Sequence, residues 1–93
     1  MGNKDQNVAR VWREIHDILL RVWDPIGIND CASAQDEYDS YIDEVYSLLL
    51  KAADLKSLDG LLFSIETKRM GLSGQNSRRI DAVRALLSIK LKT

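Results

Sequence analysis

Apolar residues recur at three- and four-residue intervals through most of the chain, the spacing of a stripe along one face of an amphipathic helix. Val8, Val11, Trp12, Ile15, Leu19 and Val22 make the first stripe and predict a helix over residues 4–22. Asn3 with Gln6 offers a capping pair at its start. Asp24-Pro25 ends it, because the residue before proline is disfavoured in the helical region and proline lacks an amide donor. Tyr38, Tyr41, Ile42, Val45, Leu48, Leu49 and Ala52 form the second stripe. This helix is expected to begin near Ala34, with Ser33 as cap and Asp36 reaching back, and to turn Asp36, Ser40, Asp43, Ser47 and Leu50 to water. A third helix is expected from a Ser57 cap through Leu58, Leu61, Leu62, Ile65 and Arg69, weakened by Gly60 and stopped by Gly71. After Asn76 as cap, Ile80, Val83, Leu87 and Leu91, with Leu86 beside them, define a fourth.

No strand-like alternation and no internal repeat interrupts these patterns. The fold class they imply is all-α, a compact four-helix bundle with a long ordered loop over residues 24–35 between helices 1 and 2. Ile26 and Ile28 are the anchors expected to pack that loop down. At 93 residues the chain has room for one core, so residues 1–93 are read as a single helical domain. No 18-residue apolar run is present, which excludes a membrane-spanning helix. The charged first 20 residues do not resemble a secretory signal, and Gln at position 6 does not fit a myristoylation pattern. With Cys31 as the single cysteine, a cytoplasmic location is the expectation.

The net charge of −1 conceals a segregation. Residues 24–46 carry Asp24, Asp30, Asp36, Glu37, Asp39, Asp43 and Glu44 with no Lys or Arg, whereas Lys68, Arg69, Arg78, Arg79, Arg84, Lys90 and Lys92 face only Asp81 beyond residue 67. Either the two blocks meet in the fold, or each is offered to a partner of opposite sign.

Catalytic chemistry finds little support. Cys31 would need a base, His16 is the single histidine, and no orienting motif surrounds either, so a loop thiol and a histidine at the core boundary are the simpler reading. Asp36, Asp39 and Asp43 share a helix side but lack the oxygen-rich loop of a calcium site, and neither a phosphate-binding glycine loop nor any other cofactor motif occurs, so no metal and no cofactor is expected. Helix, glycine-containing turn and a polar, basic helix start suggest a nucleic-acid reading through Arg78, Arg79 and Arg84, opposed by an acidic pI of about 5.7. A protein partner fits better. Trp23, Pro25, Ile26 and Ile28 set apolar groups in a loop beside the acidic helix, an arrangement suited to a basic protein, and Trp23, Asp24, Ile26, Asp36, Glu37, Asp39, Asp43 and Glu44 are the expected contacts. Trp12, Tyr38 and Tyr41 sit on helical stripes and read as core.

Three motifs, Trp23-Asp24-Pro25-Ile26-Gly27, Asp36-Glu37-Tyr38-Asp39-Ser40-Tyr41 and Ile65-Glu66-Thr67-Lys68-Arg69-Met70-Gly71-Leu72, follow one another in order. Through them, residues 8–72 resemble a family of short, largely uncharacterised bacterial helical proteins, some of which are similar to toxin immunity proteins. The resemblance implies a helical fold without enzymatic activity and a toxin domain as partner, one whose basic charge would suit the acidic block.

Overall fold

The computed structural model describes the backbone of residues 2–28 and 30–91 and the side chains from Asn7 onward within them. The capping pair expected at Asn3 and Gln6 lies outside the described side chains. Four α-helices follow one another, α1 (Gly2–Ile18), α2 (Ile42–Leu50), α3 (Leu55–Ser64) and α4 (Arg79–Leu87). No strand occurs among the described residues, and no helix is long and apolar enough to cross a membrane. α1 and α3 each pack against both α2 and α4, so the four helices form a bundle in cyclic order.

α1 and α3 do not stop at their α-helical ends. Each continues into a π turn, Leu19–Trp23 and Ile65–Arg69, closed by bonds from the amides of Asp24 and Met70 to the carbonyls of Leu19 and Ile65, five residues back. The wider turn keeps residues four apart on one side. Ile15, Leu19 and Trp23 therefore all face inward and are fully buried, while Val22, the expected end of the stripe, is only half-buried. At the other end, Val8 and Trp12 are 45% and 38% exposed. Trp12 was expected in the core and lies at its edge instead, stacked on His16, while its neighbours Val11 and Ile15 are fully buried.

The second helix departs most from its pattern. Residues 32–41 form two short 3₁₀ turns, Ala32–Ala34 and Asp39–Tyr41, and α2 begins only at Ile42. Ser33 caps nothing there; its hydroxyl lies 3.5 Å from the Cys31 thiol. The short polar side chains of Ser33, Asp36, Asp39 and Ser40 favour turns over helix interior, since they compete for backbone bonds. The burial pattern nevertheless holds, with Tyr38, Ile42, Val45 and Leu49 in the core and Asp36, Ser40, Asp43, Ser47 and Leu50 exposed. Ala52 is exposed rather than inward, and closes the helix in the left-handed region at φ 56°.

α3 is capped by Asp54, three residues before the expected cap Ser57. The Asp54 carboxylate accepts from the Ser57 amide at 2.9 Å, a bond that lowers its pKa from the ordinary value, and Gly71 stops the segment at φ 70° as expected. α4 is rotated about its axis relative to expectation. Its inward face is Arg79, Ala82, Val83 and Leu86, whereas Ile80 is half-buried and Leu87 is 39% exposed. The helix ends at Leu87, so Leu91 packs on the core from beyond it.

Arg79 heads the inward face because its charge is answered inside. The Glu66 side chain is only 1% exposed; its Oε1 accepts from the Arg79 guanidinium at 2.8 Å, and its Oε2 accepts from Trp23 Nε1 at 2.6 Å and Asn76 Nδ2 at 3.2 Å. Arg79 also donates to Asp59 at 2.8 Å and lies over the Phe63 ring. Burial alone would lower the Arg79 pKa, but Asp59 and Glu66 outweigh it and hold the guanidinium above its ordinary value. Trp23, expected at the surface, is thereby locked into the core with no exposure at all.

Glu66→Gln replaces an acceptor facing three donors by a group that itself donates. It should lower the unfolding free energy in urea by about 3 kcal/mol or more, whereas Asp59→Asn, with a 36% exposed side chain, should cost less than about 1 kcal/mol. Two backbone substitutions should act in the opposite sense. Ala52→Gly relieves a left-handed alanine, and Gly60→Ala adds a helix former where a Cβ meets nothing within 4 Å; each should stabilise by about 0.5–1 kcal/mol, read as a higher thermal midpoint.

Candidate partner-binding surface

The loop after α1 is held by one buried carboxylate. Asp24, 6% exposed and left-handed at φ 33°, accepts at Oδ1 from the Ile28 amide and the Tyr38 hydroxyl, both at 2.8 Å. The Tyr38 oxygen in turn accepts from the Ile26 amide at 3.2 Å. Burial, partly offset by the Ile26 amide and reinforced by Asp24, pushes the Tyr38 phenol above its ordinary pKa. The Tyr38 and Tyr41 rings pack against Trp23 at 5.5 and 6.3 Å between centroids. Ile28 is half-buried against the core, and Ile26 is left 43% exposed, its amide bonded to the Tyr38 hydroxyl.

Around this loop the sequence-predicted contact residues separate into three kinds. Trp23 and Asp24 are interior and offer no surface, which corrects their assignment as exposed contacts: the Glu66 and Tyr38 bonds demand their burial. Asp39 and Glu44 reach the surface but are engaged, Asp39 with His16 Nδ1 at 2.6 Å and Glu44 with the Arg69 guanidinium. Asp36, Glu37 and Asp43, with Asp30, are exposed and make no ion pair among the described residues. With Ile26 they are the exposed acids and the exposed apolar residue of the segment that runs from the loop into α2.

The two charge blocks thus meet at one ion pair among the described residues, Glu44 with Arg69. The Arg69 hydrogen bond lowers the Glu44 pKa from its ordinary 4.5. Its contribution is therefore complete above that value and fades only as pH falls through the lower, folded-state value. Most of the acidic block stays unneutralised. The basic block serves the nucleic-acid reading poorly, because Arg79 is committed to Glu66 and Asp59 and Asn76 to Glu66. Arg78 donates to the Arg21 carbonyl, and Arg84 is exposed.

His16 stacks on Trp12, with ring centroids 5.6 Å apart and planes 8° from parallel. Its bond to Asp39 and the contact of Cys31 with Ser33 give the two residues different neighbours. No group of three or more His, Cys, Asp or Glu side chains among the described residues is placed to hold a metal ion.

Two surface features escaped the sequence reading. Val8, Ala9, Trp12 and Arg13 line an open cleft of about 430 Å³ on the outer side of α1. Asp43, Glu44, Ser47, Leu48 and Leu61 line another of about 360 Å³ between α2 and α3. The first had a signal in the chain, since the apolar positions of α1 cover more than one helix face. The second depends on which helix lies beside α2, and no single-helix pattern carries that.

The three motifs that carry the family resemblance meet in space: Trp23 with Glu66, Asp24 with Tyr38, and Tyr41 with Trp23 and with the Arg69 guanidinium 5.8 Å from its ring centre. Tyr38→Phe, which removes the hydroxyl joining Asp24 to Ile26, should cost about 1–3 kcal/mol and speed amide hydrogen exchange at Ile26 and Ile28 while leaving α3 unaffected. Comparison of the chain with family models, with curated proteins and with solved structures finds no match, so the likeness rests on those motifs.

Proposed function

We propose that the protein is a non-catalytic binding protein that neutralises a cognate bacterial toxin by direct contact, through the acidic surface formed by Asp36, Glu37 and Asp43 with Ile26 and Glu44 at its edges. The observation that carries this reading is the exposure of Asp30, Asp36, Glu37 and Asp43 on a segment without a single base between residues 24 and 46. A surface of one sign raises the rate at which an oppositely charged partner is captured. The bonds at the start of the loop support it as well, because the amides of Ile26 and Ile28 are already held by Tyr38 and Asp24 and need not be ordered on binding. The motif resemblance points to the same class, as an analogy of family rather than of site.

The partner this surface suits is a basic protein domain whose active site or substrate path the bound protein would cover. Tagged protein used for affinity capture from its native host, beside the Asp36→Lys, Asp43→Lys double variant, tests the reading. A basic toxin domain retained by the wild type and lost by the variant, with association slowed at least roughly tenfold for the variant and folding unchanged by circular dichroism, is the expected result. Equal retention by both proteins, or recovery of nucleic acid alone, would remove the acidic surface from the function.

A further inference from the structure

We infer that the cleft between α2 and α3 is the seat of an arginine side chain from the basic partner, an inference that rests on the proposed function and assigns a specificity pocket within it. Asp43, Glu44, Ser47 and Leu48 fall at steps of three and four along α2 and share one face, and Leu61 of α3 forms the facing wall. The floor is apolar, with Leu48 and Leu61 half-buried against the core and part of each left open. The rim is acidic on one side only, at Asp43 and Glu44.

Such a cleft matches a side chain that is apolar along its stem and cationic at its end. A stem lying over Leu48 and Leu61 would bring its head to the Asp43 carboxylate, which is exposed and without an ion pair among the described residues, and to the Ser47 hydroxyl. A guanidinium suits these acceptors better than an ammonium, because its planar fork can bond a carboxylate through two N–H groups and a further acceptor through a third. The rim already holds one such group from within the chain, since the Arg69 guanidinium spans both oxygens of Glu44. That pairing leaves Asp43 as the acceptor for a second. The outer cleft on α1 shares none of this, being edged by Arg13.

The test is a titration of isotope-labelled full-length protein at low salt with a blocked Gly-Arg-Gly peptide, followed by NMR, with citrulline, lysine and norleucine peptides of the same length as comparisons. The expected result is a set of shifts concentrated at Asp43, Ser47 and the methyl groups of Leu48 and Leu61. Binding should be roughly tenfold weaker for citrulline, which keeps the shape and loses the charge. Asp43→Asn should weaken the arginine peptide by a similar factor and Asp36→Asn should not, both variants keeping the wild-type spectrum elsewhere. Shifts spread over Asp36 and Glu37 with the cleft silent, no shifts at all, or equal response to arginine and citrulline would each overturn the pocket. The pocket fails separately from the acidic-surface reading: a toxin retained by Asp43→Asn as firmly as by wild type, yet lost on charge reversal, leaves that reading standing and the arginine pocket refuted.

Discussion

A buried carboxylate facing three donors governs the architecture. Desolvating an ionised glutamate is costly unless its lone pairs are filled, and Glu66, itself on the π turn after α3, is supplied by an indole from the end of α1, by an amide just before α4 and by a guanidinium at the start of α4. The end of α1, the π turn after α3 and the start of α4 therefore have to arrive at one point. Hydrophobic burial would accept many relative rotations of these helices. The Glu66 bonds accept few, and they select the one in which Arg79 leads the inward face of α4 and Trp23 closes that of α1.

The acidic surface inherits its shape from this arrangement. With Trp23 drawn inward, the chain must turn immediately, and Asp24 does so in a left-handed conformation whose carboxylate then organises the next four residues and Tyr38. The surface acids are thus carried on a segment held at both ends by buried polar bonds. Its free charge and its backbone course have separate sources, the first in composition and the second in the Asp24 carboxylate. Substitutions at Asp36 or Asp43 address charge without disturbing the scaffold, whereas substitutions at Asp24 or Tyr38 do the reverse.

Much of this was legible in the chain because helical spacing is a local property. The four helices, the burial of Ile42, Val45, Leu49, Leu58, Leu62 and Ile65, the outward face of α2 and the Gly71 stop all follow from it. What was not legible depends on partners distant in sequence. Trp23 reads as a loop residue until Glu66 is known to lie against it, and Arg79 reads as a surface base until its two acids are placed. The delayed start of α2 is a different failure: Ser33, Asp36, Asp39 and Ser40 carry a turn preference that the apolar stripe through Tyr38 outweighed in the reading but not in the fold. Among the proposed contacts, exposure of Asp36 and Asp43 agrees with the periodicity, while the cleft beside Leu61 required the packing of two helices.

The contact between the first helix and the residues after the last one has a kinetic meaning. Asn7 donates to the carbonyl of Leu91 at 2.6 Å across 84 positions, and Arg10 donates to that of Lys90. Contacts of such long loop closure are entropically late, since the intervening chain must already be compact before they can form. Late-formed and peripheral contacts are also the first to open under native conditions. These bonds therefore tie the residues after the last helix to α1 independently of the bonds at Glu66.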